Sequence, residues 1–132
     1  MADKTIPKEQ YLQPIEISND AFYRESFLTG FHHLQMEIHE NAVAHGFWDK
    51  PRNDGEMIAL MHSELSEMLE GLRHDNPPSE HIPSFSAAEE ELADLFIRAM
   101  DMAQARGYRI DYAMLAKHEF NKNRERKHGK EF

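Results

Sequence analysis

The sequence predicts an all-α protein, a four-helix bundle, and three observations lead there. Apolar residues recur at intervals of three and four rather than two. Ser or Asn stands three residues ahead of Glu where two of the runs open, as in a capping box. Glycine and proline fall where the runs close, with no internal repeat or low-complexity block between them. The 132 residues suit a single domain spanning 1–132, with a polar, proline-broken arm over residues 1–17 and a basic segment over residues 117–132.

The first helix is expected to begin after Ser18, Asn19 and Asp20. It carries Phe22, Phe27, Phe31, Leu34, Ile38 and Ala42 inward and stops at Gly46 in the left-handed conformation. Phe47 and Trp48 follow that stop. The second starts near Asn53, with Glu56 as capping partner, and runs inward through Ile58, Met61, Leu65, Met68 and Leu72 until Asn76, Pro77 and Pro78 end it. After a polar connection, Ser86 and Glu89 form a second capping box, and the third helix reaches Arg106 with Gly107 beyond. A fourth runs from Asp111 with Tyr112, Leu115 and Phe120 inward, and fades into NKNRERKHGKEF.

Composition excludes several functions. Fifteen Lys and Arg against 24 Asp and Glu leave a net charge of −9, which repels a nucleic-acid backbone. Without cysteine there are no disulfides, thiolate metal sites or cysteine nucleophile. No stretch approaches the ~18 apolar residues of a membrane span, and the N-terminus has no apolar signal core, so a cytoplasmic protein away from membranes is expected.

Chemistry concentrates in HSELSEMLEGLRH, His62 to His74. Residues three apart on a helix share a face, so Glu64 and Glu67 point the same way, and Glu91 and Asp94 repeat the spacing in EEELADLFIRAMD. Leu65, Met68 and Leu69 border the first pair, and Leu92, Leu95 and Phe96 the second. One such pair, like Glu37 and Glu40, reads as a solvated face. Two pairs at the margin of apolar stripes on consecutive helices would converge on packing, and crowded carboxylates raise one another's pKa unless a cation neutralises them. An all-oxygen donor set suits Mg²⁺, or Mn²⁺, better than zinc. His32, His33, His39 and His62 fall outside the Glu-x-x-His pattern of di-iron bundles, and Asp101, seven residues after Asp94, is left out of the ligand set.

The tail reverses the charge of the chain. Six Lys or Arg lie among its last 16 residues, whereas the preceding 116 hold nine against 21 acids. A basic cluster together with an acidic metal site suits a polyphosphate, the metal taking some oxygens and Lys, Arg and Asn the rest.

These blocks, HENAVAHGFW, GEMIALMHSELSEMLEGLR, EEELADLFIRAMD and KHEFNKNRERKHGK, in this order from His39 to Lys130, resemble the MazG-like nucleotide pyrophosphohydrolases of the all-α nucleoside triphosphate pyrophosphatase superfamily. The shared motif is two glutamates three apart, a gap, then Glu and Asp three apart. The resemblance implies a MazG-like four-helix bundle that uses Mg²⁺ to cleave a nucleoside triphosphate between its α and β phosphates, giving a monophosphate and pyrophosphate. It makes Glu64, Glu67, Glu91 and Asp94 the metal ligands, with Glu64 or Glu67 deprotonating or orienting the attacking water. It makes Lys117, Asn121, Arg124, His128 and Lys130 the triphosphate contacts, with Lys122 a further candidate. Where the family pattern often has Pro after that Arg, this chain has Glu125.

Base recognition falls to Trp48, whose aromatic face could stack on a nucleobase for about 1–3 kcal/mol, and to Asn41, whose amide can read a base edge or sugar hydroxyl. The alternatives are a dUTPase-like or phosphoribosyl-ATP pyrophosphatase-like member of the same superfamily, or a helical interaction module without catalysis. Eight Phe and eight Met are many for four short helices that must also wall a nucleotide cleft, so a homodimer or homotetramer is expected.

Overall fold

The computed structural model describes residues 20–129 and 131. The arm over residues 1–17, the expected caps Ser18 and Asn19, and Lys130 lie outside them. Four α-helices account for most of the described chain: α1 Asp20–Ala44, α2 Asp54–Arg73, α3 Ala87–Arg106 and α4 Ile110–Lys122, followed by a 3₁₀ turn Arg126–Gly129. Among the described residues there is no β-strand, only an isolated antiparallel bridge between Pro78 and Ser86. The fold class is all-α, compatible with the four-helix bundle expected from periodicity. No helix of the described residues is long and apolar enough to cross a membrane.

The helix ends follow the punctuation in the sequence. Gly46, at φ 84°, takes the left-handed position after α1. Its N–H reaches Val43 O at 3.0 Å while Phe47 N–H reaches Ala42 O at 3.1 Å, the paired bonds of a Schellman stop. Gly107, at φ 68°, repeats this after α3, with Tyr108 N–H donating to Ala103 O at 2.9 Å. Asn53 Oδ1 accepts the Glu56 N–H at 3.1 Å to open α2. At the start of α3 the capping box is reciprocal: Ser86 Oγ accepts the Glu89 N–H at 3.3 Å, and Glu89 Oε2 accepts the Ser86 N–H at 2.8 Å.

The described chain divides into two compact units, one of Trp48–Ala99 and one of residues 20–47 with residues from 100 onward. In the first, α2 and the leading part of α3 are joined by the turn of Asp75 and Asn76, both at positive φ, and by two prolines. Asn76 Oδ1 accepts the Ala88 N–H at 2.9 Å, and Ala87 N–H donates to Pro77 O at 2.8 Å, so the end of α2 is tied to the start of α3. Gly71 makes this approach feasible: a Cβ there would lie 3.1 Å from Ala87 Cβ. In the second unit, α1 packs on α4, and Gln35 and His39 of α1 bond Gln104 and Asp101 at 3.0 and 2.7 Å.

The apolar stripes are buried less completely than their periodicity predicts. Met57, Ala88, Met100, Met102 and Ala103 are the buried apolar residues, and Phe27 and Phe31 pack ring to ring at 5.4 Å with both partly covered. Phe22 and Leu34 of α1, Ile58, Leu65 and Leu72 of α2, and Tyr112 and Phe120 of α4 are exposed, against the expectation that they face inward. Each helix has neighbours on only part of its apolar arc, and a period-3.6 pattern cannot say how wide the covered part is.

Candidate metal centre and adjoining cleft

Helical spacing puts Glu64 and Glu67 on one face of α2 and Glu91 and Asp94 on one face of α3, and the tight Gly71–Ala87 approach brings the two helices close. Glu64, Glu67 and Glu91 each offer a carboxylate oxygen, all within 4.8 Å of one another. Asp94, the fourth expected ligand, stands outside that trio, although its charge acts on Glu67. Opposite ligands of an octahedral Mg²⁺ lie about 4.2 Å apart, so small carboxylate rotations would let the three oxygens share one hard divalent ion. The donor set, all oxygen and formally anionic, fits such an ion.

Sequence reasoning missed Arg98. Its Nε donates to Glu64 Oε1 at 2.5 Å, against a carboxylate that is almost fully buried. Arg98 lies four residues after Asp94 and seven after Glu91, so the spacing that aligned the acids also put a cation on their face. Burial pushes the Glu64 carboxyl up, but hydrogen bonds from Arg98 and Glu67, the Arg98 charge and a bond from Glu91 outweigh it and hold the group below its ordinary value.

The neighbours move the other way. Glu67 is raised by its hydrogen bond with Glu64, then by burial and the Glu64 charge. Glu91 is raised to about 7 by burial first and by its bond with Glu64 second. Asp94 is raised by burial and by the charges of Glu64 and Glu90. One ionised carboxylate thus stands among three that resist ionisation, the condition a bound cation relieves.

Beside these acids lies a cleft of about 450 Å³, bordered by Glu67 and Glu91, by Glu70, Gly71 and His74 at the end of α2, and by Pro78, Ser79 and His81 of the connection. Trp48, the expected stacking residue, belongs to the same unit, and the Arg52 guanidinium lies over its ring at 5.2 Å.

The other expected substrate contacts belong to the second unit. Asn41 is exposed near the end of α1. Lys117 Nζ and Arg124 Cζ lie 4.5 and 5.7 Å from the Phe120 ring centroid, so the structure gathers two of the expected phosphate-binding cations around one exposed aromatic. Lys122 pairs with Glu119 at 3.1 Å. Asn121 Oδ1 is buried without a hydrogen-bond partner among the described residues. The backbone of His128 lies in the 3₁₀ turn, and Lys130 is outside the described residues. Asp101, omitted from the ligand set, is buried against His39 in this unit.

Comparison with protein-family models, with curated proteins and with solved structures finds no match to this chain.

Proposed function

We propose that the protein is a divalent-metal-dependent nucleoside triphosphate pyrophosphohydrolase, cleaving between the α and β phosphates to release a monophosphate and pyrophosphate. The observation that carries this reading is the convergence of Glu64, Glu67 and Glu91 oxygens from two consecutive helices at the wall of a cleft. In this reading Glu64, Glu67 and Glu91 hold Mg²⁺ or Mn²⁺, with Asp94 as fourth ligand. When bound, the ion neutralises charge on the phosphates and makes water easier to deprotonate.

The side chains divide the remaining work. Arg98 keeps Glu64 anionic, so the most buried carboxylate is always ready as a ligand. Glu67, exposed at the cleft and more basic than Glu64, is the better of the two expected candidates for accepting the proton of the attacking water. Lys117, Lys122, Arg124 and Lys130 are the cationic phosphate contacts, His128 is a further one, and Asn121 donates through its amide nitrogen, its Oδ1 being buried without a hydrogen-bond partner among the described residues. Trp48 and Asn41 serve the base and sugar. The substrate class makes the cytoplasm the expected compartment.

A homo-oligomer belongs to the same proposal. Ile58, Leu65, Leu69 and Leu72 form an exposed apolar row along α2, at spacings of seven, four and three, and a second copy of the chain would cover it.

A second reading, a helical interaction module, is favoured by one observation: the Glu64–Arg98 pair already neutralises part of the cluster. Incubation with each common ribo- and deoxyribonucleoside triphosphate and Mg²⁺, products resolved by chromatography, separates the two. Monophosphate and pyrophosphate support the hydrolase. Diphosphate and orthophosphate, or no turnover across the panel, contradict it.

A further inference from the structure

The connection between α2 and α3 contains a chain of hydrogen bonds that the metal centre does not use. Ser79 is buried, 3% exposed, and its hydroxyl is fully engaged. It donates to Glu90 Oε2 at 2.5 Å and accepts the backbone N–H groups of His81 and Ile82 at 3.2 and 3.0 Å. The backbone of Ser79 is anchored in turn, its N–H donating to Phe85 O at 2.8 Å. The other Glu90 oxygen, Oε1, meets His81 Nδ1 at 2.6 Å. The imidazole is therefore held through its ring by Glu90 and through its backbone by Ser79.

The His81 side chain is held in this way although it is open to water. The His81 side chain is 81% exposed, whereas its partner Glu90 is 16% exposed. An exposed imidazole gains little stability from one ion pair in water, and fixing its rotamer carries an entropic cost. The arrangement instead matches how proteins orient a working histidine: a carboxylate fixes Nδ1–H and leaves Nε2 as the polar atom for a ligand. Glu90 also raises the His81 pKa, which favours the cationic form. His81 borders the same 450 Å³ space as Glu67 and Glu91, so a ligand held by those acids lies beside it.

We infer that His81 is a substrate-contacting residue of this cleft, its Nε2 donating to a phosphate oxygen of the pyrophosphate portion, with Glu90 and Ser79 as positioning residues. The inference rests on the proposed pyrophosphohydrolase reading and adds to it a phosphate contact from the first unit, whose other proposed substrate groups are the metal-binding acids and Trp48. Neither the acid motif nor the basic tail contains this group. Ser79, His81 and Glu90 are separated by intervals of two and nine residues and meet only because Asn76, Pro77 and the Pro78–Ser86 bridge fold the connection back on α3.

The test is calorimetric and uses the full chain, with Mg²⁺ alone as one probe and inorganic pyrophosphate at saturating Mg²⁺ as the other. His81→Ala is expected to weaken pyrophosphate binding by about tenfold or more, the loss of one charge-assisted contact, while Mg²⁺ affinity stays that of the wild type. Glu90→Gln keeps an acceptor for Nδ1 and should recover most of the affinity, whereas Glu90→Ala should resemble His81→Ala. Unchanged pyrophosphate affinity in His81→Ala, with Mg²⁺ binding intact, overturns the assignment of His81 alone. Equal losses of Mg²⁺ and pyrophosphate binding would make His81 part of the metal centre and also overturn it. Absence of Mg²⁺ binding by the wild type would overturn the pyrophosphohydrolase reading and this inference with it.

Discussion

Replacing Glu91 by Gln tests the electrostatics of the acid cluster without altering its shape. Glu91 has a pKa of about 7 in the folded protein against an ordinary 4.5. Between those values the folded state keeps a proton that the unfolded chain releases. Protons bound in the folded state then exceed those in the unfolded state, so stability is full below 4.5 and falls as pH rises through about 7. At about 1.4 kcal/mol per tenfold change in proton affinity, the gap sets a ceiling near 3 kcal/mol. The site is open to water, and screening reduces this to roughly 1 kcal/mol. Gln imitates the protonated acid at every pH. In EDTA, Glu91→Gln should therefore melt with the wild type at pH 4.5 and about 3–5 °C above it at pH 8, followed by circular dichroism at 222 nm. A variant that melts below the wild type at pH 8 would refute the reasoning, because Glu91 would then be contributing stability as an anion.

Other consequences follow from separate parts of the molecule. Lys117→Ala and Arg124→Ala should each raise KM or lower kcat by about tenfold or more in steady-state hydrolysis assays, the loss of a charge-assisted phosphate contact; unchanged kinetics would return these cations to a role around Phe120. Ser86→Ala removes the hydroxyl that caps α3 and should cost about 1 kcal/mol in urea unfolding, with the m-value unchanged; an unchanged midpoint would show that the Asn76 and Pro77 bonds alone hold that end. The exposed α2 row predicts assembly, so light scattering coupled to size exclusion should give at least twice the 15.4 kDa of one chain. A monomer mass with full activity would show that one subunit makes a complete site.

What the sequence could reveal about the fold was carried by local rules. Gly46, Gly107, Asn53 and the Ser86–Glu89 box each act within a few residues, and the helix ends fall where they dictate. The width of the buried face was not legible, because Leu65 and Leu72 satisfy the helical period equally whether a neighbouring helix covers them or water does. The acid trio was legible for the same local reason: i and i+3 spacing fixes each pair on its own helix, and the trio needs only that α2 and α3 approach. Arg98 was equally within reach by spacing, but a cation on an acidic face reads as solvation until its Glu64 partner is seen to be buried. Ser79, His81 and Glu90 form a tertiary arrangement inside a proline-bearing connection, where neither a period of two nor of 3.6 applies.

The central claim is that the carboxylates of α2 and α3 bind a divalent cation, and a Mg²⁺ titration by calorimetry at pH 8, on the wild type and on Glu67→Gln, tests it most directly. Saturable binding by the wild type, lost or severely weakened in a Glu67→Gln protein of unchanged helix content, is the predicted result. A wild type that shows no saturable binding at millimolar Mg²⁺, or a Glu67→Gln variant that binds as tightly as its parent, would contradict it.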